Sequence, residues 1–302
     1  MKHIFVINPK AGKSDREKQI REYLSSYPEK LDIEIYVTKS KGDGREYVRK
    51  YLKTHKINSL YRFYACGGDG TLNDVVNGVI GYENAEVACL AFGSGNDFIK
   101  NFRNADSFRD IGKTIKGKSK KIDLLKVDDK YSINIFNFGF DGEATFAMLR
   151  FKRWSFISGP LAYKLGALNC LLFKMNQYMR ITLDSQVVFD GKGLLIAVAN
   201  GSCYGGGFHC APEAKIDDGL IDVCLVKKIS RLKAAGLMKV YKRGEHLNAP
   251  KLKDIVYYAK CRKAIIESNK PVAYAIDGEV YRKQKVMIKM VPSSLNFVIP
   301  KE

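Results

Sequence analysis

Four short apolar runs, separated by helical patterns, constrain the fold of the first third of this chain. The runs have the length and composition of buried strands, and they are Ile4–Ile7, Ile33–Val37, Tyr61–Ala65 and Val87–Phe92. Between them, segments such as 72–80 repeat apolar residues at the spacing of one helix face. Alternating strands and helices predict a mostly parallel sheet in a three-layer α/β domain, which binds ligands beyond the carboxyl ends of its strands.

The hydrophobic pattern changes near Asp123. From there on, segments such as 131–138 and 286–290 alternate apolar and polar residues, and turns rich in Gly, Asp and Asn separate them. This pattern predicts an antiparallel β-sandwich, which a helical insertion near 158–175 interrupts. We therefore expect an α/β domain over 1–123 and a sandwich domain over 124–291.

A glycine-rich turn lies directly between the third predicted strand and the helix that starts at Leu72. It consists of Gly67, Gly68, Asp69, Gly70 and Thr71. Glycines let backbone N–H groups approach a phosphate closely, and a helix N-terminus adds a favourable dipole. The carboxylate of Asp69 would repel a phosphate unless Mg²⁺ lay between them. The turn therefore predicts a site for a nucleotide and a metal ion, and an ordinary tight turn with an aspartate cap is the alternative.

A second turn of the same kind follows the fourth predicted strand. It reads Gly93-Ser94-Gly95-Asn96-Asp97-Phe98 and again combines glycines with one carboxylate. Neighbouring parallel strands would bring Asp69 and Asp97 to one metal-bound triphosphate. Two better-known phosphate motifs fail, because Phe98 stands where a dinucleotide motif needs glycine and Ile7 where a Walker A loop needs it.

Two turns in the second half of the chain carry paired carboxylates. The turn 212–220 contains Asp217 and Asp218, and Asp277 and Glu279 flank a glycine after a predicted strand. Carboxylates on one side of a cleft can hold a metal ion and accept a proton. Taken alone, each segment is better interpreted as an ordinary turn.

Taken together, five segments resemble one family, the bacterial diacylglycerol kinase-like lipid kinases. They are Asn8-Pro9 with Gly12, the turn 67–71, the turn 93–98, the turn 212–220 and Asp277-Gly278-Glu279, in the family's order. The turn 67–71 is shared with NAD kinases and phosphofructokinases, whereas the Gly-x-Gly-Asn-Asp-Phe segment and the Ala-x-x-x-Asp-Gly turn make the resemblance lipid-kinase-like. The resemblance spans essentially the whole chain. It implies an N-terminal ATP-binding domain, a C-terminal β-sandwich, an active site in the cleft between them, and a last strand that returns to the first domain and adds 292–302 to it.

The resemblance also implies which residues contact ATP. These are Asn8, Thr38, the turn 67–71 and Ser94. Ser94 departs from the threonine that is common in the family but keeps its hydroxyl group.

The resemblance further implies a metal site and a base. A structural Mg²⁺ would be bound by the carbonyl oxygens of Lys215 and Leu220 and by the carboxylate of Asp218. Glu279 corresponds to the proton acceptor. Three other carboxylates complete the catalytic candidates, Asp69, Asp97 and Asp277.

The charge of the chain favours an anionic partner. Its 51 Lys and Arg residues against 32 Asp and Glu give a formal net charge of +19, spread along the sequence. Such a field attracts nucleic acid, nucleotides or anionic lipid headgroups. The segment 151–175 mixes aromatic, aliphatic and cationic residues and suits contact with an anionic membrane. The contributors we name are Lys152, Arg153, Trp154, Phe156, Lys164, Phe173 and Lys174, and a core-packing helix with a solvated basic face is the alternative.

We therefore expect a cytoplasmic enzyme that works at the inner face of the membrane with ATP and Mg²⁺, and diacylglycerol is the expected acceptor. The sequence has no run of about 18 apolar residues and no signal peptide. The seven cysteines lack metal-ligand spacing and are expected in the core. A homodimer is compatible with these features, and no nucleic-acid-binding motif is evident.

Two other functions remain open from the sequence. The first is an NAD kinase, and the turn 93–98 and the positive charge argue against it. The second is a non-catalytic basic module that binds nucleic acid or membrane. Against that function, every acidic residue expected of an active lipid kinase is present.

Overall fold

The computed structural model describes residues 1–12, 14–55, 59–151 and 159–302. They divide into two compact units, one formed by Met1–Leu124 with Pro292–Glu302 and the other by Leu125–Val291. Each unit has a hydrophobic core of its own.

The strands are numbered in chain order: β1 (Lys2–Ile7), β2 (Asp32–Val37), β3 (Tyr61–Gly67), β4 (Ala85–Ala91), β5 (Lys118–Val127), β6 (Lys130–Ser132), β7 (Ile135–Gly139), β8 (Gln177–Leu183), β9 (Gln186–Ala199), β10 (Ile221–Lys227), β11 (Val256–Cys261), β12 (Lys263–Ile276) and β13 (Glu279–Ile299). The α-helices are α1 (Arg16–Ser25), α2 (Asp43–Thr54), α3 (Asp69–Val79), α4 (Ile111–Ile115), α5 (Phe140–Phe151), α6 (Gly159–Phe173) and α7 (Arg231–Lys242). Short 3₁₀ helices cover Phe98–Asn101, Ala105–Arg109, Glu245–Leu247 and Pro250–Leu252.

The first unit is a parallel sheet with helices on both faces. Its strands follow the order β2-β1-β3-β4, and the last residues of β13 pair with β4 in parallel. Alternate side chains of a strand point to opposite faces. On one face, Phe5 and Tyr64 share a core with Ile20 of α1. On the other, a Cβ atom added to Gly44 of α2 would lie 3.3 Å from Val6 Cγ1. The three-layer α/β prediction is confirmed.

The second unit is rich in antiparallel strands. They follow the order β11-β10-β9-β7-β12-β13, and β8 pairs with both β9 and β12. Along β7, Phe136 and Phe138 enter one core and Ile135 enters a second core, which also contains Leu237 and Tyr241 of α7. The β-rich second half is therefore confirmed. The predicted insertion corresponds to α6, whereas α5 and α7 were not predicted.

None of the helices described is long and apolar enough to cross a bilayer. All seven cysteines are buried and free, which confirms that they are core residues. Burial raises the pKa of the Cys224 thiol to about 12, so it stays protonated at neutral pH.

Candidate functional site

Polar side chains from three parallel strands meet at the carboxyl edge of the first unit's sheet. Asn8 follows β1, Thr38 follows β2, and Thr71 lies in the first turn of α3 after β3. The Asn8 Nδ2 donates a hydrogen bond to Thr71 Oγ1 at 3.3 Å. The backbone N–H of Thr38 donates to the carbonyl oxygen of Ile7 at 2.8 Å. The structure thus brings these three predicted ATP contacts to one edge.

The two glycine turns pack against each other at the same edge. The backbone N–H groups of Phe92 and Gly93 donate to the carbonyl oxygen of Gly67 at 2.8 and 3.0 Å. A Cβ atom on Gly93 would overlap Gly68 Cα, and one on Gly67 would overlap the side chain of Thr71. Glycine is therefore required by close approach at both positions. The two turns thus lie side by side at the N-terminus of α3, with Gly70 and Ser94 exposed, and a helix N-terminus favours phosphate.

The carboxylates of Asp69 and Asp97 lie close together between these turns. Asp69 Oδ1 accepts hydrogen bonds from the backbone N–H groups of Asp97 at 2.7 Å and of Phe98 at 3.4 Å. Asp97 Oδ1 accepts from Lys100 Nζ at 2.5 Å. A Cβ atom on Gly95 would lie 2.8 Å from Asp69 Oδ2 and 3.7 Å from Asp97 Oδ2, so both oxygens face one small space. Carboxylate oxygens are ligands that Mg²⁺ prefers, but the Lys100 ammonium already supplies positive charge at Asp97 and would have to move before a cation bound there.

Asn96 holds the second turn in place and was not among the predicted site residues. It has a positive φ of 47°, a conformation that Asn tolerates better than most residues. Its Nδ2 donates to the carbonyl oxygens of Gly93 at 2.7 Å and of Ala91 at 3.3 Å. The neighbouring Ser94 is exposed. The position of Asn96 directly after Gly-x-Gly is the sequence feature that could have identified it. Through these hydrogen bonds Asn96 shapes the loop that presents Ser94.

In the second unit, the carboxylate of Asp277 accepts hydrogen bonds from several backbone N–H groups. One carboxylate oxygen accepts hydrogen bonds from Ser132 Oγ at 2.8 Å and from the N–H of Ile135 at 2.9 Å. The same carboxylate also accepts from the N–H groups of Ile133 at 3.0 Å and Asn134 at 3.2 Å. A carboxylate so fully engaged is held in place and is poorly suited to accept a proton. These contacts hold the Asp277 carboxylate in place, and the catalytic role expected from the sequence stays a prediction.

Glu279, two residues further on, is half-buried at the start of β13. Its Oε2 accepts a hydrogen bond from Tyr281 Oη at 2.6 Å. Tyr281 was not predicted as a site residue, since nothing in the sequence marks a tyrosine two positions along a strand as a partner.

The turn 212–220 does not have the donor set expected for Mg²⁺. Asp218 Oδ2 accepts from Lys260 Nζ at 2.9 Å, and its Oδ1 accepts from the backbone N–H of Leu220 at 3.1 Å. Lys260 Nζ also contacts the buried Asp222 at 3.2 Å. An ammonium group at this distance supplies the positive charge that a metal ion would bring, and it would repel that ion. The set formed by Asp218 with the carbonyls of Lys215 and Leu220 therefore does not fit a divalent cation in this conformation.

A narrow apolar cavity lies beneath α7 in the second unit. Its apolar lining includes Phe140, Leu171, Leu194, Phe208, Leu237 and Met238. At one point Tyr204 Oη donates a hydrogen bond to Asp141. Burial raises the pKa of Asp141 to about 6, and this hydrogen bond acts in the opposite direction. The cavity has apolar walls and one polar pair, and its volume of about 50 Å³ is well below the roughly 300–1,000 Å³ typical of ligand sites.

Most of the predicted membrane-contacting residues lie outside the described residues. This holds for Lys152, Arg153, Trp154 and Phe156, and for the side chains of Lys164 and Phe173. Lys174 is described, and its Nζ pairs with the buried carboxylate of Glu143 at 2.6 Å. The Lys174 side chain is 40% exposed, and its expected contact with a membrane stays a prediction.

Exposed apolar side chains nevertheless project from α6 and α7. They are Leu161, Leu168, Leu172, Leu232 and Met238. Arg231 connects the two helices, because its guanidinium donates to the carbonyl oxygens of Leu171 at 3.0 Å and Leu172 at 2.7 Å. These five residues are referred to below as the exposed apolar residues of α6 and α7.

Comparison with known proteins gives matches along nearly the whole chain. Residues 2–127 match the model of the diacylglycerol kinase catalytic domain, and residues 135–299 match that of the YegS C-terminal NAD kinase beta sandwich-like domain. A diacylglycerol kinase of Staphylococcus carnosus is 29% identical over 278 residues, which cover 91% of this chain and 87% of that protein.

Solved structures share the fold at lower identity. A diacylglycerol kinase from Bacillus anthracis superposes with a TM-score of 0.70 at 21% identity, covering 98% of this chain and 96% of that one. An NAD kinase from Archaeoglobus fulgidus in complex with ATP superposes with a TM-score of 0.52 at 11% identity, covering 100% and 94% of the two chains. These likenesses concern the fold alone.

Proposed function

Since this chain belongs to the bacterial diacylglycerol kinase-like lipid kinases, we propose that it transfers the γ-phosphate of ATP to the free hydroxyl of diacylglycerol and releases phosphatidic acid. That it is a phosphotransferase with an alcohol acceptor follows from the family. The observation that carries the proposal is the meeting of the two glycine turns around Asp69 and Asp97.

ATP is proposed to bind along the carboxyl edge of the first unit's sheet. Asn8 and Thr38 lie at the ends of β1 and β2, and the turn 67–71 and Ser94 complete the contacts. Backbone N–H groups of the turns donate to phosphate oxygens, and the positive end of the α3 dipole favours their charge. Asp69 and Asp97 would hold the Mg²⁺ that accompanies ATP, which neutralises phosphate charge when it is bound.

The proposed base is Glu279. The lipid hydroxyl oxygen attacks the γ-phosphorus, the bond from that phosphorus to the β,γ-bridging oxygen breaks, and ADP leaves with the electron pair. The proton of the hydroxyl passes to the Glu279 carboxylate. Positioned bases of this kind contribute about 10²–10⁴ to the rate. In this scheme Asp277 holds the turn that presents Glu279, through its contacts with 132–135.

Part of an aliphatic chain of the lipid is proposed to enter the cavity beneath α7, which would have to widen from its present volume of about 50 Å³. The walls are apolar, and the Asp141–Tyr204 pair offers a polar contact within them. A soluble nucleotide such as NAD would gain nothing from these walls, which favours a lipid acceptor over the NAD kinase alternative.

A peripheral contact with an anionic membrane is proposed for the exposed apolar residues of α6 and α7. Leu232 is 87% exposed and Met238 is 45% exposed, and basic residues of α7 lie beside them. Apolar residues flanked by Lys and Arg are typical of helices that lie in the membrane interface. Such contact would keep the enzyme in the cytoplasm at the inner face of the membrane, where its substrate is found.

The assay that tests the proposal offers radiolabelled ATP with diacylglycerol, a sphingoid base and a polyprenol in anionic mixed micelles, with NAD in parallel. We expect phosphatidic acid as the main labelled product and no labelled NADP. Labelled NADP, or no transfer to any lipid, would contradict the proposal. Glu279→Gln serves as the control that separates this enzyme from a contaminating kinase.

A further inference from the structure

A second apolar cavity borders α7 next to the Asp141 cavity, and Leu237 lines both. This groove runs between α7 and the segment 249–255, and its volume is about 630 Å³, within the range of roughly 300–1,000 Å³ typical of ligand sites. Val240, Pro250, Leu252 and Ile255 contribute to its apolar wall. None of its lining residues belongs to the proposed catalytic or ATP-binding set.

A glycine in the middle of α7 borders the groove. Gly236 of α7 lines it, and a Cβ atom added there would meet no atom within 4 Å. Glycine destabilises a helix interior relative to alanine, and no close neighbour at this position requires it. The space beside Gly236 is therefore open, and a large side chain at this position would enter the groove.

Two lysines give the groove its charge. Lys233 of α7 and Lys251 of the facing segment both line it and are exposed. Neither ammonium group forms an ion pair in the described parts of the chain. Cations beside an apolar groove complement a molecule with an aliphatic chain and an anionic headgroup. The exposed Leu232 and Met238 lie on the same helix, so the membrane is the source that fits.

We propose that this groove binds one acyl chain of an anionic membrane phospholipid, with its headgroup phosphate between Lys233 and Lys251. The site is separate from that of the acceptor lipid and does not depend on the proposed reaction. Leu237 lines both cavities. An acyl chain in the groove would therefore contact the same leucine side chain that borders the Asp141 cavity. An anionic lipid would in this way stabilise the helix that covers the acceptor site.

Calorimetric titration with dihexanoyl phosphatidylglycerol, below its micelle concentration and without ATP, tests this site. We expect saturable binding of one lipid per chain, and much weaker binding of dihexanoyl phosphatidylcholine. Gly236→Leu should abolish binding, because Gly236 lines the groove and does not line the Asp141 cavity. Its unfolding temperature should not fall, since leucine favours a helix over glycine.

Charge variants complete the test. Lys233→Gln and Lys251→Gln should each weaken binding about fivefold, as expected for one lysine at a phosphate. Lys239→Gln is the matched control, because Lys239 lies on α7 outside the groove, and it should bind as the wild type does. Absence of saturable binding, or unchanged binding by Gly236→Leu, would overturn the proposal. Equal binding of the two lipids would overturn its anionic selectivity. None of these outcomes bears on phosphoryl transfer, which the micelle assay measures separately.

Discussion

Tyr281 donates a hydrogen bond from its hydroxyl group to Glu279 Oε2 at 2.6 Å, from two residues further along the same strand. Residues two apart in a strand project from the same face, so the tyrosine can hold the carboxylate in one orientation. If Glu279 is the base, Tyr281 is a positioning residue for it.

A double-mutant cycle on this pair tests the relationship. We expect Glu279→Gln to lower kcat by about 10²–10⁴ and Tyr281→Phe to lower it by about tenfold through misorientation, with the KM for ATP unchanged in both. The double variant should be no slower than Glu279→Gln alone, because Tyr281 acts only through the carboxylate. Additive losses would mean that Tyr281 supports the fold and has no specific role at Glu279.

Two substitutions of Asp69 should separate the effect of its negative charge from the effect of the hydrogen bonds that it accepts. Asp69→Asn keeps an oxygen for the N–H groups of Asp97 and Phe98, so its unfolding temperature should stay near that of the wild type while phosphoryl transfer is lost. Asp69→Ala should lose activity and also unfold a few degrees earlier, because two N–H groups lose their acceptor. Thermal unfolding and the micelle assay measure both effects. Wild-type activity in Asp69→Asn would exclude a role for the charge.

Asp277 should matter chiefly for stability. Asp277→Ala leaves the N–H groups of Ile133, Asn134 and Ile135 without their acceptor, at a cost of roughly 1–3 kcal/mol each. We therefore expect a loss of at least about 3 kcal/mol in the free energy of unfolding, measured with urea. Asp277→Asn should lose less, since asparagine tolerates the positive φ of 45° at this position. Equal stability of Asp277→Ala and the wild type would show that these hydrogen bonds are replaced by water.

The buried Asp141 should make stability depend on pH. Burial raises its pKa to about 6 from an ordinary 3.8. The folded state therefore favours the protonated carboxyl, and its contribution is complete below about pH 4 and is lost as the pH rises through 6. Asp141→Asn has no such loss, so at pH 8 it should exceed the wild type by up to about 3 kcal/mol in the free energy of unfolding. Below pH 4 the unfolding free energies of Asp141→Asn and the wild type should converge. If urea unfolding gave parallel pH profiles for the two proteins, the raised pKa of Asp141 would be contradicted.

The structural features that were predicted best from the sequence are those that short stretches of the chain determine. The first unit's strands and helices follow from local periodicity, and the glycines of 67–71 and 93–98 mark their own turns. The segment 131–138 was predicted as one alternating strand but forms β6 and β7. The break arises because the distant Asp277 takes the N–H groups of 133–135. No local pattern contains that information.

Side-chain partners were the least predictable part of the site. Lys260 is 42 residues from Asp218 along the chain, and Lys174 is 31 residues from Glu143, so spacing alone could not pair them. The helix α5 was missed because it depends on tertiary packing. Its Gly142 lies so close to the backbone of Ala273 that a side chain there would overlap it.

The strand β13 has a consequence for synthesis on the ribosome, because its residues are divided between the two units at Val291 and Pro292. Every residue of the β-rich unit has been translated when Val291 is added, whereas the α/β unit still lacks the strand that pairs with β4. The half of the protein that is made first therefore completes its sheet last, and until then the edge of β4 can pair with another nascent chain. Removing Pro292–Glu302 should reproduce that state. Amide hydrogen exchange should then rise in β4 and stay slow in β9, and fast exchange in both strands would show that the two units fold as one.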